Sequence, residues 1–409
     1  MVERQRRRDE RAFQHVAGAV SWAVQQHVAG AVSRRGEEPG VRIPSRSPMI
    51  RIVLSVLVVL AWLSACPPGQ VSAQNQTITV VSFGGSYARA CDISYHDRFE
   101  VETGIGINLE DYTGGLAQIR AQVEMGNVFW DVVDLNMPEL VRGCDEGLFV
   151  PVSIDDLPKG ADGASAADDF VEGTVTECGV TKLFFSRMIA YNDARIGDLK
   201  PTTTADFFDL EKFPGRRGMK RSPVANLEFA LMADGVPRED VYTTLDTEDG
   251  VRRAFRKLDT IKEQIVWWET AAHPPQMLAD GEVTMTTAAN GRIFNAQELE
   301  GQPFVILWDS QILYTSGYGI VEGTRNLEAA RRFLEFASQA ESMASLARYI
   351  AYSPTRRSAM PLISTHAETG VDMRPHMPTS PENVARALHD DWEWWSDNGE
   401  EMNERFSTW

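Results

Sequence analysis

Cysteine is scarce in this chain. Only Cys66, Cys91, Cys144 and Cys178 occur in 409 residues, with no CxxC pair and no histidine at metal-ligand spacing, so no zinc-binding or dithiol redox motif is present. There is also no GxSxG, no HExxH, no GxxxxGK, and no GxGxxG after the first strand. These gaps remove the usual signatures of serine hydrolases, zinc proteases and nucleotide binding. Outside the N-terminal region, His96, His273, His366, His376 and His389 are scattered. Positive charge is in deficit, 40 Lys and Arg against 58 Asp and Glu, for a net charge of −18, which argues against a nucleic-acid partner. Long apolar runs are missing too. The longest, Ile52 to Leu63, is about half of the roughly 20 residues a membrane-spanning helix needs.

That run is the core of an export signal. Met49-Ile50-Arg51 precedes it and small residues follow it to Val71-Ser72-Ala73, so residues 49–73 read as a signal peptide starting at an internal methionine. Residues 1–48 are arginine-rich and repeat His15-Val16-Ala17-Gly18-Ala19-Val20-Ser21 once, from His27 to Ser33. Two copies are too few for a stacked-repeat fold, and the segment is read as a wrongly assigned gene start or a disordered extension. Leu63-Ser64-Ala65-Cys66 has the form of a lipid-attachment site, but Pro67 and Pro68 suit a processing enzyme poorly. Cleavage after Ala73 is the favoured expectation, with lipid anchoring at Cys66 as the alternative. Removing 73 residues takes away ten arginines and five acids, leaving 30 basic against 53 acidic side chains and a net charge of about −23. The remaining 336 residues are enough for two lobes with separate cores.

Cys144 and Cys178 lie in polar, turn-like settings, Arg142-Gly143-Cys144-Asp145 and Glu177-Cys178-Gly179, whereas Cys91 falls inside a helical pattern. A Cys144–Cys178 disulfide and a buried Cys91 thiol are therefore expected of an exported chain.

Thr77 to Ser82 alternates and is rich in β-branched residues, which reads as a strand. Gly84-Gly85-Ser86 forms a turn, with Ser86 placed to cap a helix carrying Tyr87, Ile93, Phe99 and Val101. Gly106 to Leu109 begins the next strand, and so short a strand, helix, strand unit implies parallel pairing. The pattern repeats with a helix from Ala117 to Met125, an apolar strand from Val128 to Leu135 and a helix from Pro138 to Glu146. Thr181 to Tyr191 reads as a strand crossing into a second lobe. That lobe holds Phe207-Phe208-Asp209, helices over Asn226 to Ala233 and Thr247 to Lys262, and a strand after Asp280-Gly281. Val305 to Trp308 and Tyr318 to Val321 read as two short strands, the helix from Asn326 to Ala337 returns to the first lobe, and Asp390 to Trp409 forms an amphipathic terminal helix.

Several strings, in order, match a known family. They include Ser82-Phe83-Gly84-Gly85-Ser86-Tyr87, Trp130-Asp131-Val132-Val133-Asp134, Ile265-Val266-Trp267-Trp268-Glu269, Leu278-Ala279-Asp280-Gly281-Glu282-Val283 and Ala289-Asn290-Gly291-Arg292. Across nearly all of residues 76–409 the chain resembles the periplasmic spermidine/putrescine-type solute-binding proteins of ABC transporters. The resemblance implies an α/β, two-lobed periplasmic binding protein of type II-like form, its two α/β lobes joined by crossing hinge strands. Residues 76–186 plus 316–362 are assigned to the first lobe, and 187–315 plus 363–409 to the second. It further implies a monomer in the periplasm, without catalytic activity or cofactor, that closes over a small ligand and delivers it to an ABC permease in the inner membrane.

Carried over by position, the implied ligand-binding residues are Gly85, Ser86, Tyr87, Asn136, Ser222, Asn226, Trp268, Glu269, Asn290, Tyr314 and Ser316, with Asp134 as a further source of negative charge. Tyr87 and Trp268 suit an amine through cation–π attraction. Polyamine binders usually place acids where this chain has Ser316 and Ser86. The departure leaves a different small amine, a zwitterion or a neutral solute open. Two alternatives stand beside this reading: a ferric-ion or other small-solute binder of the same two-lobed class using Tyr349 and Tyr352, and a secreted hydrolase.

Overall fold

The computed structural model describes residues 76–409. The extension, the signal peptide, both processing sites and Cys66 lie outside the described residues. The first strand, β1 (Thr77–Ser82), leads into α1 (Gly85–Cys91), which continues through a π-helical turn (Asp92–His96) into α2 (Asp97–Thr103). Then come β2 (Gly106–Asp111), α3 (Ala117–Glu124), β3 (Val132–Asn136), α4 (Met137–Asp145) and the long strand β4 (Gly179–Asn192). The second half contains β5 (Arg217–Lys220), α5 (Asn226–Ala233), α6 (Glu248–Asp259), β6 (Ile265–Trp268), α7 (His273–Asp280), β7 (Met285–Ala289), α8 (Asn290–Glu300) and β8 (Phe304–Ile320). The chain ends with α9 (Leu327–Ala337), α10 (Ala340–Leu346), the short strands β9 (Ser353–Pro354) and β10 (Leu388–His389), and α11 (Trp392–Thr408).

One sheet orders these strands as β2-β1-β3-β8-β4-β7-β5-β6, with β10 beside β8 and β9 beside β4. Strands β2, β1 and β3 are mutually parallel, as are β6, β5 and β7. Between them β8 runs antiparallel to both β3 and β4, and β4 antiparallel to β7. The result is the two-lobed α/β fold of periplasmic binding proteins, with β4 and β8 crossing between its halves. Two parallel sets on either side of an antiparallel pair must run in opposite directions. Their C-terminal ends therefore face each other across β4.

Four details depart from the sequence reading. Gly84 and Gly85 both have φ 63°, so the helix starts one residue ahead of Ser86, which sits in its first turn instead of capping it. The π-helical turn adds a residue to the helical phase. Tyr95 and Phe99 thereby point into the core, while Ile93 is half-buried and Val101 is 86 % exposed. Strand β3 begins at Val132, not Val128; just before it the Asp131 carboxylate accepts the Thr79 amide (2.7 Å), while the Asp131 backbone bonds Thr79 and Val321. The two short strands expected near Val305 and Tyr318 are one continuous strand, β8. Cys144 and Cys178 form a disulfide that ties the end of α4 to the residue before β4. Cys91 is a fully buried thiol.

Candidate functional site

A cavity of about 420 Å³ lies where the two sets of strand ends meet. Asn136, last in β3, pairs with Ser316, which pairs with Leu183; Ala289, last in β7, pairs with Arg187. Leu183 and Arg187 are four residues apart on β4, or roughly 13 Å at about 3.3 Å per residue. Side chains alternate along a strand, so Leu183, Phe185 and Arg187 share one face and form the floor. The walls are the segments that follow the parallel strands: Phe83 to Gly85 after β1, Asp111 to Thr113 at β2, Lys220 at the end of β5, Trp268 to Ala272 at β6, and Arg292 after β7. Ligands of open α/β sheets sit at such carboxyl ends.

The structure brings Gly85, Tyr87, Asn136, Trp268, Glu269 and Ser316 of the expected residues onto this cavity. The others do not line it. Asp134 is fully buried beneath it, accepting hydrogen bonds from the Tyr87 hydroxyl (2.7 Å), Lys182 Nζ (2.7 Å), Ser82 Oγ (3.1 Å) and Ser316 Oγ (2.9 Å). Its charge is thus met by Lys182, itself buried over the Tyr318 ring, and its role here is to hold Tyr87 and Ser316 in place. Burial pushes the Lys182 ammonium pKa down, with Asp134 acting against that shift. Asn290 ties β4 to the segment ahead of β9, accepting from the Ser186 amide and donating to the Ala351 carbonyl. Asn226 donates to the Lys220 and Ser222 carbonyls, while Ser222 Oγ accepts from the Val224 amide. Both shape the loop after β5. Ser86 is half-buried beside the cavity, and Tyr314 lines an adjoining space instead.

Sequence reasoning missed the cations. Arg292 is 4 % exposed, donates from Nη2 to the Phe83 carbonyl (3.2 Å), and leaves Nε and Nη1 without hydrogen-bond partners. Arg187 lies 6.0 Å from the Trp268 ring centre and 5.6 Å from that of Tyr314. The Lys220 pKa is pushed down to about 8, first by burial and then by the neighbouring Arg187, with Glu139 pulling the other way. Burial raises the Tyr352 phenol pKa and Arg292 beside it opposes the rise. A signal was available: Arg187 stands alone in the apolar run from Leu183 to Tyr191, where an unpaired charge has no structural use. The same lining also carries Glu269 and Asp111, both solvent-accessible, and the rings of Phe83, Tyr87, Tyr112, Phe185 and Trp268. Such a surface can grip a carboxylate and an ammonium at once. Among the described residues no group of three or more His, Cys, Asp or Glu is placed to hold a metal ion.

Fold and cleft define a binding protein. Residues 94–379 match the model of the bacterial extracellular solute-binding protein family, and the chain belongs to that family. It is 40 % identical to the gamma-aminobutyric acid-binding protein of Pseudomonas aeruginosa over 337 residues, covering 82 % of this chain and 92 % of the relative. Among solved structures it resembles the binding protein MotA of A. tumefaciens B6 in complex with glucopine, with a TM-score of 0.74, 30 % identity, and coverage of 81 % of this chain and 99 % of that one. It also resembles the Atu4243-GABA receptor, with a TM-score of 0.69, 27 % identity, and coverage of 82 % and 97 %.

Proposed function

We propose that this protein is the periplasmic binding component of an ABC importer, and that it captures a small amino acid with its amine and carboxylate at opposite ends of a short chain. GABA is the simplest case. Arg292 carries the reading: a buried guanidinium with two unpartnered nitrogens faces a cavity that Arg187 and Lys220 also line. Burying such donors unpaired is costly, and a carboxylate meets a guanidinium with two acceptors in matching geometry. Glu269, Asp111 and the aromatic faces offer the ammonium charge and cation–π contact. A polyamine has no group for the three cations, so within the family the reading moves from a polyamine to a zwitterion. The names of the GABA-binding relatives support the same choice.

In this reading the lobes comprise 76–186 plus 316–362 and 187–315 plus 363–409, a division supported by β3 pairing with β8 from Ser316 onward and β7 pairing with β4 from Arg187 onward. The ligand touches both lobes and is released unchanged. The test is calorimetry and thermal shift with GABA, putrescine, spermidine and ferric iron. GABA at a hundredfold excess over Kd should stabilise the fold by about 2.7 kcal/mol, putrescine should not, and Arg292→Gln should abolish GABA binding. Stabilisation by putrescine or iron without any by GABA would overturn the proposal.

A further inference from the structure

We propose that Lys182 is a positioning residue for ligand capture: with Asp134 it fixes the Tyr87 hydroxyl and Ser316 at the cavity wall, and the buried pair serves affinity instead of stability. This inference rests on the amino-acid reading of the cavity.

A break in the strand register puts Lys182 where it is. Thr181 pairs with Gly317 and Leu183 with Ser316, so Lys182 is an extra residue of β4 between two consecutive partners on β8. Such a bulge re-aims the side chain it carries. The two backbones are close there: a Cβ on Gly317 would stand 2.2 Å from the Val180 carbonyl oxygen and 2.3 Å from the Thr181 Cα. Lys182, 1 % exposed, thereby reaches past β8 to Asp134 on β3, with Nζ 2.7 Å from Oδ2 and 3.1 Å from the centre of the Tyr318 ring. The Tyr87 and Tyr95 ring centres stand 5.5 and 5.7 Å away.

Both charges are out of water, where an ion pair commonly holds a fold no better than neutral side chains of similar size. What the pair does reach is the cavity. Asp134 accepts from Tyr87 (2.7 Å) and Ser316 (2.9 Å), which line it, whereas Asp134 and Lys182 do not. That bond holds the tip of Tyr87, whose ring centre lies 5.9 Å from Arg292 Cζ. A carboxylate matched by an ammonium binds a hydroxyl roughly twice as strongly as a neutral acceptor does. The buried charges therefore fix Tyr87 beside the guanidinium that meets the ligand's carboxylate.

The test is GABA calorimetry beside chemical unfolding for the wild type, for Asp134→Asn/Lys182→Met, which removes both charges together, for Tyr87→Phe, and for all three substitutions combined. The charge-free pair should unfold at the wild-type denaturant midpoint or above it and bind GABA about tenfold more weakly. Tyr87→Phe should weaken GABA by a similar factor. The combination should lose far less than the roughly hundredfold that independent losses multiply to, because both changes act on one bond. Wild-type affinity in the charge-free pair or in Tyr87→Phe, a lowered midpoint or failure to fold in the charge-free pair, or the full loss of independent effects in the combination overturns the positioning role alone. No binding of GABA by the wild-type protein overturns the reading of the cavity, and the positioning role falls with it.

Discussion

Gly85 shows how closely the two halves approach at a single residue. Its φ is +63°, and a Cβ there would stand 2.4 Å from Arg292 Nη1 and 3.1 Å from the Ala272 Cβ. Glycine is needed twice over, once for the left-handed backbone and once for the space the guanidinium occupies. Gly85→Ala should cost about 1–2 kcal/mol of stability from the backbone alone and weaken GABA about tenfold by displacing Arg292. Chemical unfolding and calorimetry on the same variant check both; unchanged affinity would show that Arg292 adjusts freely. Gly85 was legible in the sequence because a strand, a glycine pair and a helix start announce a close backbone approach. Arg292 was not. Ala289-Asn290-Gly291-Arg292 read as a family marker, and the burial of its last residue arises from contacts with Phe83, 209 positions away. Asp134 errs the other way: it looked like ligand charge, yet Lys182 meets it from β4, across the intervening β8.

Elements were more legible than their joins. Each βα unit of the first half was visible because apolar period and glycine turns agree. The continuity of β8 was hidden by Asp309, Ser310 and Gln311, three polar residues that follow the apolar run Val305 to Trp308. Gln311 is fully buried and satisfied, accepting from Ser186 Oγ (2.7 Å) and donating to the Pro378 and Asn383 carbonyls, and no local pattern reveals partners so distant. Helix α11 was expected from its tryptophans, but its tie to α5 was not. Trp395 Nε1 donates to Glu228 Oε1 (2.8 Å), and the Tyr242 hydroxyl lies 3.1 Å from the same oxygen. Burial raises the Glu228 pKa from 4.5 to about 7, with those hydrogen bonds opposing the shift. The folded state therefore holds this proton more tightly than the unfolded chain. The stabilisation is full below about pH 4.5 and lost as pH rises through about 7, an effect of up to roughly 3 kcal/mol. Glu228→Gln should flatten the fall in melting temperature between pH 5 and 8, and a profile as steep as the wild type would move the effect to other groups, Asp390 first among them.

At the scale of the whole molecule, long-range charge and local charge oppose each other. The chain carries a net charge of −18, which draws cations toward its surface and repels anions, yet the cavity is lined by Arg187, Lys220 and Arg292. A diamine would be attracted at a distance and opposed at contact, while a simple anion would meet the reverse. A zwitterion carries no net charge for the outer field to act on, and its two ends meet matched groups inside. On the proposed reading, a ligand touching both lobes would favour a closed form by the difference in its affinity for the two states. Salt screens the outer field, with a Debye length of about 10 Å at 0.1 M and about 3 Å at 1 M, but reaches buried pairs much less. The dissociation constant of GABA should therefore change less than about twofold from 0.1 to 1 M salt, whereas that of a ligand recruited by the negative surface should rise steeply. Calorimetric titrations across that range check this, and a steep salt dependence for GABA would place its recognition on the exposed acids instead of the buried guanidinium of Arg292.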